Sequence, residues 1–207
     1  MRTSIFIIFL IFTGLKLSAD EYVSPVPMEY YSQNNIYRLV IYPRTVPDKY
    51  DKEMRKRERK PDKYINVPFN DTIEPCKAIL YKKSGIFDMD YEQIWEIELE
   101  NPEVPDYAFV PNDGSFVITI DDYYSNGRTE NAFVIYDTNG MFLKKYYLSD
   151  FSPFAHNELT QTVMTTPWFV GIEHFSFSPD KIKILIHDRE FNIEKIVYNI
   201  DRLEFEE

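Results

Sequence analysis

The sequence is poor in cysteine, glycine and histidine, and each shortage excludes a class of protein. A single cysteine, Cys76, rules out an internal disulfide, and because it stands just before an apolar run we expect it to be a small buried residue. Six glycines form no glycine-rich loop of the kind that cradles phosphates. The three histidines are too scattered for a zinc site, and neither H-E-x-x-H nor G-x-S-x-G occurs. The sequence therefore contains no recognisable catalytic constellation.

Positive charge is also scarce relative to negative charge. The chain has 34 acidic and 23 basic residues and a formal net charge of −11. Nucleic acids and anionic membrane surfaces attract proteins through clustered Lys and Arg. We therefore expect no nucleic-acid partner.

One segment is basic, in contrast to the acidic chain as a whole. KEMRKRERK (Lys52–Lys60) lies in an excursion, residues 44–66, that breaks the strand pattern around it. It is either a basic patch for an acidic partner surface or lipid headgroups, or a solvated loop. The solvated loop is the favoured interpretation, because runs of like charge generally stay in water.

Only one long apolar run occurs, and it lies at the start of the chain. Arg2 precedes Ile5–Leu15, and Leu17-Ser18-Ala19 offers a cleavage site, which is the layout of a secretory signal peptide. Eleven residues rise only about 16 Å as a helix, against a hydrocarbon core of about 30 Å, which disfavours the alternative of a membrane anchor. We predict a signal peptide over residues 1–19, a secreted or periplasmic location, and a mature chain, residues 20–207, without a transmembrane span.

What the sequence has in abundance is strand-like segments, and these repeat. VIYDTNG (Val134–Gly140) has looser copies in ILYKKSG (Ile79–Gly85) and IVYNIDR (Ile196–Arg202). Around the middle copy, the turn PNDG precedes an alternating strand, SFVITID, and D-x-N-G joins two further β-rich runs as in a hairpin. With YAFV in front, this unit reads as four strands in meander order.

The same pattern appears three times, in units at about residues 26–100, 106–148 and 173–206. A second excursion, residues 149–172, separates the last two units. The sequence therefore predicts a single all-β domain of three consecutive four-stranded antiparallel meander units.

Single residues in the repeats carry further expectations. Tyr81, Tyr136 and Tyr198 occupy equivalent positions, for which we expect a core role. Asn35 stands near the place of the turn glycine Gly114, and asparagine tolerates positive φ fairly well.

Turn motifs such as PNDG before a strand and DTNG after one resemble the repeats of β-propeller proteins of the broad WD-repeat or TolB-like type. The middle unit is also similar to a segment of uncharacterised secreted bacterial proteins. The resemblance implies propeller-blade-like units and carries no catalytic residue to this chain. Because three units fall short of the roughly four to eight blades of a closed propeller, we expect an incomplete or open one. Its end faces would be exposed, covered by extra segments, or joined by self-association into a ring.

One acidic loop is a candidate metal site. Asp121, Asp122, Asn126 and Glu130 lie close together in sequence, and calcium takes six to eight oxygen ligands from carboxylates and carbonyls. The spacing is not that of an EF-hand loop, and acidic loops are common in an acidic protein. Calcium, if bound, would brace the loop; no other cofactor is expected.

The second excursion contains a candidate ligand-binding pair, Trp168 and Phe169, directly after Pro167. Burial against an exposed sheet end is the favoured interpretation of these rings. The alternative is a surface on which a sugar stacks.

These observations favour a secreted or periplasmic non-catalytic binding or assembly module with a protein or carbohydrate partner. One alternative is an extracellular hydrolase that uses acidic residues at strand ends, which requires a pocket where two carboxylates have unequal pKa values. Another alternative is a structural subunit that completes a ring by self-association.

Overall fold

A computed structural model describes residues 25–45, 74–85, 90–123, 125–162, 165–174 and 180–206. The predicted signal peptide and the basic segment Lys52–Lys60 lie outside these residues. Twelve strands in the described part form three four-stranded antiparallel sheets, each in simple sequence order. The predicted all-β fold class with three meander units is confirmed, and none of the three sheets closes into a barrel.

Sheet 1 contains the first unit and carries the first excursion. Its strands are β1 (Met28–Tyr31), β2 (Tyr37–Tyr42), β3 (Lys77–Lys83) and β4 (Tyr91–Glu98). Between β2 and β3, Thr45 and Glu74 form an isolated bridge with N–O distances of 3.0 and 3.3 Å. This bridge fixes the base of the excursion to the sheet.

Sheet 2 contains the middle unit and follows its sequence pattern closely. Its strands are β5 (Tyr107–Phe109), β6 (Phe116–Ile120), β7 (Phe133–Asp137) and β8 (Phe142–Tyr146). Every residue of β6 is buried, which explains why this strand carries apolar residues on both faces. Sheet 2 is therefore covered on both sides.

Sheet 3 contains the last unit. Its strands are β9 (Phe169–His174), β10 (Lys181–His187), β11 (Ile193–Asn199) and β12 (Glu204–Phe205). β9 begins at Phe169, ahead of the expected start at 173, so the end of the predicted excursion belongs to a strand. Two single-turn 3-10 helices, Leu148–Asp150 at its start and His156–Glu158 within it, also belong to that excursion.

The strand register shows that the three units are equivalent residue by residue. The repeated tyrosine of each third strand pairs with the second residue of each second strand: Tyr81 with Arg38, Tyr136 with Val117, and Tyr198 with Ile182. In sheets 1 and 2 the register against the fourth strand also shifts immediately before this tyrosine. The repeats seen in the sequence therefore occupy the same place in each sheet.

Two hydrophobic clusters place sheet 2 between the other two sheets. One joins one face of sheet 2 to sheet 3, and the other joins the opposite face of sheet 2 to sheet 1. The first contains Phe116, Ile118 and Phe133 with Ile182, Ile184 and Tyr198; the second contains Val117, Val134 and Tyr136 with Leu39, Ile41 and Leu80. Each sheet has one face that carries the first residue of its second strand, such as Phe116 of β6, and an opposite face that carries the second residue, such as Ile182 of β10. The first kind of face packs against the second kind on the next sheet, as in stacked blades.

Each outer face of the stack carries an ion pair. On sheet 1, Arg38 pairs with Glu29 at 2.6 Å, and its guanidinium carbon lies 5.7 Å from the centre of the Tyr81 ring. On sheet 3, Lys195 pairs with Glu173 at 3.0 Å. The predicted core role is confirmed for Tyr136 and Tyr198, but it is wrong for Tyr81, which is only partly buried because no described sheet packs on its face.

The single cysteine is buried and two turn residues adopt positive φ, as the sequence predicted. Cys76 is buried, and burial raises the pKa of its thiol to about 12. Asn35 and Gly114 both adopt positive φ, at 55° and 69°, as predicted for these turns. Within the described ranges, no helix has the length and apolar character needed to cross a membrane.

Candidate functional site

The β5–β6 hairpin brings two acidic residues together at its open end. Tyr107 pairs with Ile120, and the Asp106 backbone N–H donates to the Ile120 carbonyl at 3.0 Å. In an antiparallel ladder this register sets Asp106 directly opposite Asp121. Both residues line a cleft of about 330 Å³.

We call this cavity the Asp–Trp cleft. Its lining combines apolar and aromatic side chains with acidic and polar ones. It is lined by Asp106, Tyr107, Ile120, Asp121, Asn126, Pro167, Trp168, Phe169 and Val170.

Asp121 is the most constrained residue of the cleft. Its backbone adopts a φ of 56°, a left-handed conformation that is uncommon outside glycine. Its carboxylate accepts hydrogen bonds from the Gly127 backbone N–H and from Trp168 Nε1, each at 2.6 Å. Burial raises the pKa of Asp121 to about 8, and the two hydrogen bonds oppose this rise because they favour the charged form.

Asp106 is less enclosed than Asp121. Its Oδ2 accepts a hydrogen bond from Asn126 Nδ2. Burial raises the pKa of Asp106 to about 6, and the nearby charge of Asp122 acts in the same direction. The cleft therefore contains two carboxyl groups with different raised pKa values.

Aromatic side chains of the first strands of the three sheets meet beside these acids. The Tyr107 ring centre lies 5.8 Å from that of Tyr30 on β1 and 5.1 Å from that of Phe169 on β9. The Tyr30 hydroxyl oxygen is buried and has no hydrogen-bond partner in the described protein. Burial first, and then the charge of Asp106, raise the pKa of Tyr30 to about 12, so the phenol keeps its proton.

Asp122, the neighbour of Asp121, lies outside the cleft. It is 1% exposed and accepts hydrogen bonds from Asn101 Nδ2 at 3.0 Å, Thr129 Oγ1 at 2.8 Å and Asn131 Nδ2 at 3.0 Å. These contacts fix both ends of the loop that follows β6. The role of Asp122 in this structure is to hold that loop in place.

The structure therefore separates the four predicted metal ligands. Asp121 and Asn126 line the Asp–Trp cleft, Asp122 is buried in its own network, and Glu130 pairs at the surface with Lys145 at 2.5 Å. Among the described residues, no group of three or more His, Cys, Asp or Glu side chains is placed to hold a metal ion. Calcium binding by this loop stays a prediction.

The two predicted ligand-binding aromatics differ in exposure. Trp168 is 1% exposed and packs edge-on against Phe151, with ring centres 5.4 Å apart, so its ring has no free face. Phe169 is partly exposed and lines the cleft. The loop after β6 and the aromatic excursion, predicted as two separate sites, meet in one cleft through the bond between Asp121 and Trp168.

The sequence interpretation missed Asp106, Tyr107 and Tyr30. A partial signal for Asp106 existed, because Asp106 precedes the PNDG hairpin and Asp121 follows it, which places both at the same end; the exact register that sets them opposite each other was not readable from the turn. Tyr30 carried no comparable signal, since its position depends on how sheet 1 packs beside sheet 2.

Comparison of the chain with protein-family models, curated proteins and solved structures finds no match. What is established is the architecture of three blade-like sheets. Membership of a propeller family stays a prediction from the turn motifs.

Proposed function

We propose that this protein is a secreted or periplasmic, non-catalytic binding module that takes a carbohydrate ligand in the Asp–Trp cleft. The observation that carries the proposal is that two aromatic rings, Tyr107 and Phe169, line the same cavity as the polar groups of Asp106 and Asn126. Sugars present an apolar ring face and a rim of hydroxyl groups, and a cleft lined by both kinds of group complements both.

The size and exposure of the cleft support this proposal. Its volume of about 330 Å³ lies at the lower end of the range for small-molecule sites. Val170 at its margin is 45% exposed, so the cavity opens to solvent. A ligand of one or a few sugar rings is the expected occupant.

The hydrogen bonds of the acids support binding rather than catalysis. Both carboxylate oxygens of Asp121 already accept bonds from obligate donors, Gly127 N–H and Trp168 Nε1. Both donors favour the charged carboxylate, so protonation of Asp121 would weaken these contacts. Asp121 therefore shapes the cleft, and Asp106 and Asn126 are the polar groups offered to a ligand.

The secreted or periplasmic location rests on the N-terminal sequence, Arg2 followed by Ile5–Leu15. Expression of residues 1–207 in a secreting host tests it. We expect the mature protein to begin at residue 20, as read by mass spectrometry of the intact chain. Retention of residues 1–19 in membrane fractions would contradict it.

Isothermal titration calorimetry of residues 20–207 against a panel of neutral oligosaccharides tests the binding role. Phe169→Ala and Asp106→Asn should each weaken binding of the best ligand by about tenfold or more. Phe191→Ala removes a ring that is 76% exposed and does not line the cleft, and serves as the matched control. A panel without binding, or equal affinity in Phe169→Ala, contradicts the proposal.

A second candidate function, an extracellular glycoside hydrolase, is favoured by one specific observation. Asp106 and Asp121 line one cleft and have pKa values raised to about 6 and about 8. Such a pair supplies a carboxylate and a protonated acid at neutral pH. Release of reducing ends from the panel, lost in Asp106→Asn, supports this function; no release from any sugar that binds contradicts it.

A further inference from the structure

A second and larger cleft begins at the residues that follow Asn126 in the same loop. It lies between Gly127–Arg128 and the segment 147–161, and its volume is about 660 Å³. We call it the excursion cleft. Neither Asp106 nor Asp121 lines it, so it is distinct from the Asp–Trp cleft.

Hydrogen bonds hold the wall of the excursion cleft in one conformation. The Tyr147 backbone N–H donates to Asp150 Oδ2 at 2.9 Å, and the Ala155 backbone N–H donates to Glu158 Oε2 at 2.7 Å. The Glu158 carbonyl accepts from the Arg189 backbone N–H at 2.8 Å, which anchors the segment to the turn between β10 and β11. A preformed cleft of this kind loses little conformational entropy when it binds a ligand.

The floor and rim of the cleft differ in chemistry. Leu148 and Leu159, each 4% exposed, line its base. Tyr147, which is 51% exposed, stands at the rim with Ser149 and Gln161. An apolar base inside a ring of hydroxyl and amide groups complements a sugar ring better than an acyl chain, which would leave the polar rim unsatisfied.

The charge of this cleft is opposite to that of the protein as a whole. The chain has 34 acidic residues, yet none of the described residues that line the excursion cleft is Asp or Glu. The acids of the wall, Asp150 and Glu158, point their carboxylates at backbone N–H groups instead. The lining does include Arg128, whose Nη2 donates to the Thr162 carbonyl at 2.5 Å and is held in position by it.

From these features we infer that the excursion cleft binds a carboxylate-bearing sugar, with the carboxylate at Arg128 and the ring over Leu148 and Leu159. A planar guanidinium recognises a carboxylate with charge-assisted hydrogen bonds. Tyr147 flanks the sugar at the rim. The inference does not depend on a ligand in the Asp–Trp cleft.

Calorimetry with tri-galacturonate and the matched neutral galactotriose, on residues 20–207, tests this site. Tri-galacturonate should bind at least about tenfold more tightly than galactotriose, because only the acid engages Arg128. Arg128→Gln should remove that preference, and Tyr147→Ala should weaken both trimers. Arg202→Gln, which removes an exposed arginine of the turn between β11 and β12, should leave both affinities unchanged.

Three outcomes would overturn the inference: no binding of tri-galacturonate, equal binding of the acid and neutral trimers, or an unchanged preference in Arg128→Gln. The Tm of each variant shows whether it is folded. If Arg128→Gln is not folded, Arg128→Lys is tested in its place, because it preserves the charge. Phe169→Ala should keep acid binding. If Phe169→Ala loses the tightest neutral ligand of the Asp–Trp cleft while tri-galacturonate binding stays intact, the two sites are separate.

Discussion

The indole of Trp168 donates a buried hydrogen bond to the carboxylate of Asp121, with 2.6 Å between Nε1 and Oδ2 and each residue 1% exposed. This bond joins two segments 47 residues apart in the chain and forms the inner wall of the Asp–Trp cleft. The loop after β6 and the segment before β9 are also joined by the Thr166 backbone N–H, which donates to the Asn126 carbonyl at 2.8 Å, so the cleft depends on polar contacts between these two segments.

A double-mutant cycle measures that contact. Asp121→Ala leaves the Gly127 and Trp168 N–H groups without an acceptor, and each buried donor left unpaired costs about 1–3 kcal/mol. With Trp168→Phe as the second change, we expect a coupling energy of about 1.5–3 kcal/mol in urea denaturation. Coupling near zero would contradict a direct bond.

The backbone of Asp121 gives an internal control for this experiment. Asp121→Gly removes the same carboxylate, but glycine adopts a φ of 56° without the Cβ penalty. Asp121→Gly should therefore be more stable than Asp121→Ala by about 1 kcal/mol.

The three repeated tyrosines test the stacking order of the sheets. Tyr136 and Tyr198 are 1% and 0% exposed, whereas Tyr81 lies on the outer face of sheet 1. Substitution by Ala should cost about 3–5 kcal/mol at Tyr136 and Tyr198, but about 1 kcal/mol or less at Tyr81. Equal costs at all three positions, measured by urea denaturation, would mean that another surface covers Tyr81.

Most of the fold could be predicted from hairpin signals in the sequence. PNDG and DTNG each mark a tight turn between alternating strands, and local turn chemistry of this kind depends on few neighbours. Asn35 was predicted for the same reason. The exposure of Tyr81 was not predicted, because a similar strand motif is buried or exposed according to whether another sheet packs against it.

Only part of the candidate site could be predicted from the sequence. Asp121, Asn126, Trp168 and Phe169 stood out as residue types in loops, but their convergence depends on a contact between distant segments. The buried network of Asp122 shows the opposite case. Its partners, such as Asn101, carry no local pattern, and a carboxylate that accepts three internal hydrogen bonds looks in sequence like any exposed loop acid.

The raised pKa of Asp106 predicts a pH dependence of stability. Its folded pKa of about 6 lies above the ordinary 3.8, so the folded state keeps a proton that the unfolded state releases. The contribution of this group is fully present below pH 3.8 and is lost as pH rises through about 6. Between pH 4 and 7, the parent should therefore lose up to about 2 kcal/mol relative to Asp106→Asn, a value reduced from the full shift because Asp106 is partly exposed.

Urea denaturation of both proteins at several pH values gives this difference directly. Glu194→Gln, at an exposed position on β11, is the matched carboxylate control and should track the parent. A constant difference between the parent and Asp106→Asn across pH 4–7 would show that burial does not perturb this carboxyl group.

The ion pairs on the two outer faces predict the state of association. Arg38 with Glu29 on sheet 1, and Lys195 with Glu173 on sheet 3, would have to be desolvated if copies of the chain completed a ring. We therefore expect residues 20–207 to be monomeric in light scattering at all accessible concentrations. A stable oligomer would instead favour the ring-forming subunit.

The central claim, a carbohydrate in the Asp–Trp cleft, is tested most directly by NMR chemical-shift mapping with the tightest neutral oligosaccharide. We predict amide shifts concentrated at residues 106–107, 120–127 and 168–170, and their disappearance in Phe169→Ala. Shifts confined to the outer faces of sheets 1 and 3, or an unperturbed spectrum at saturating sugar, would contradict it.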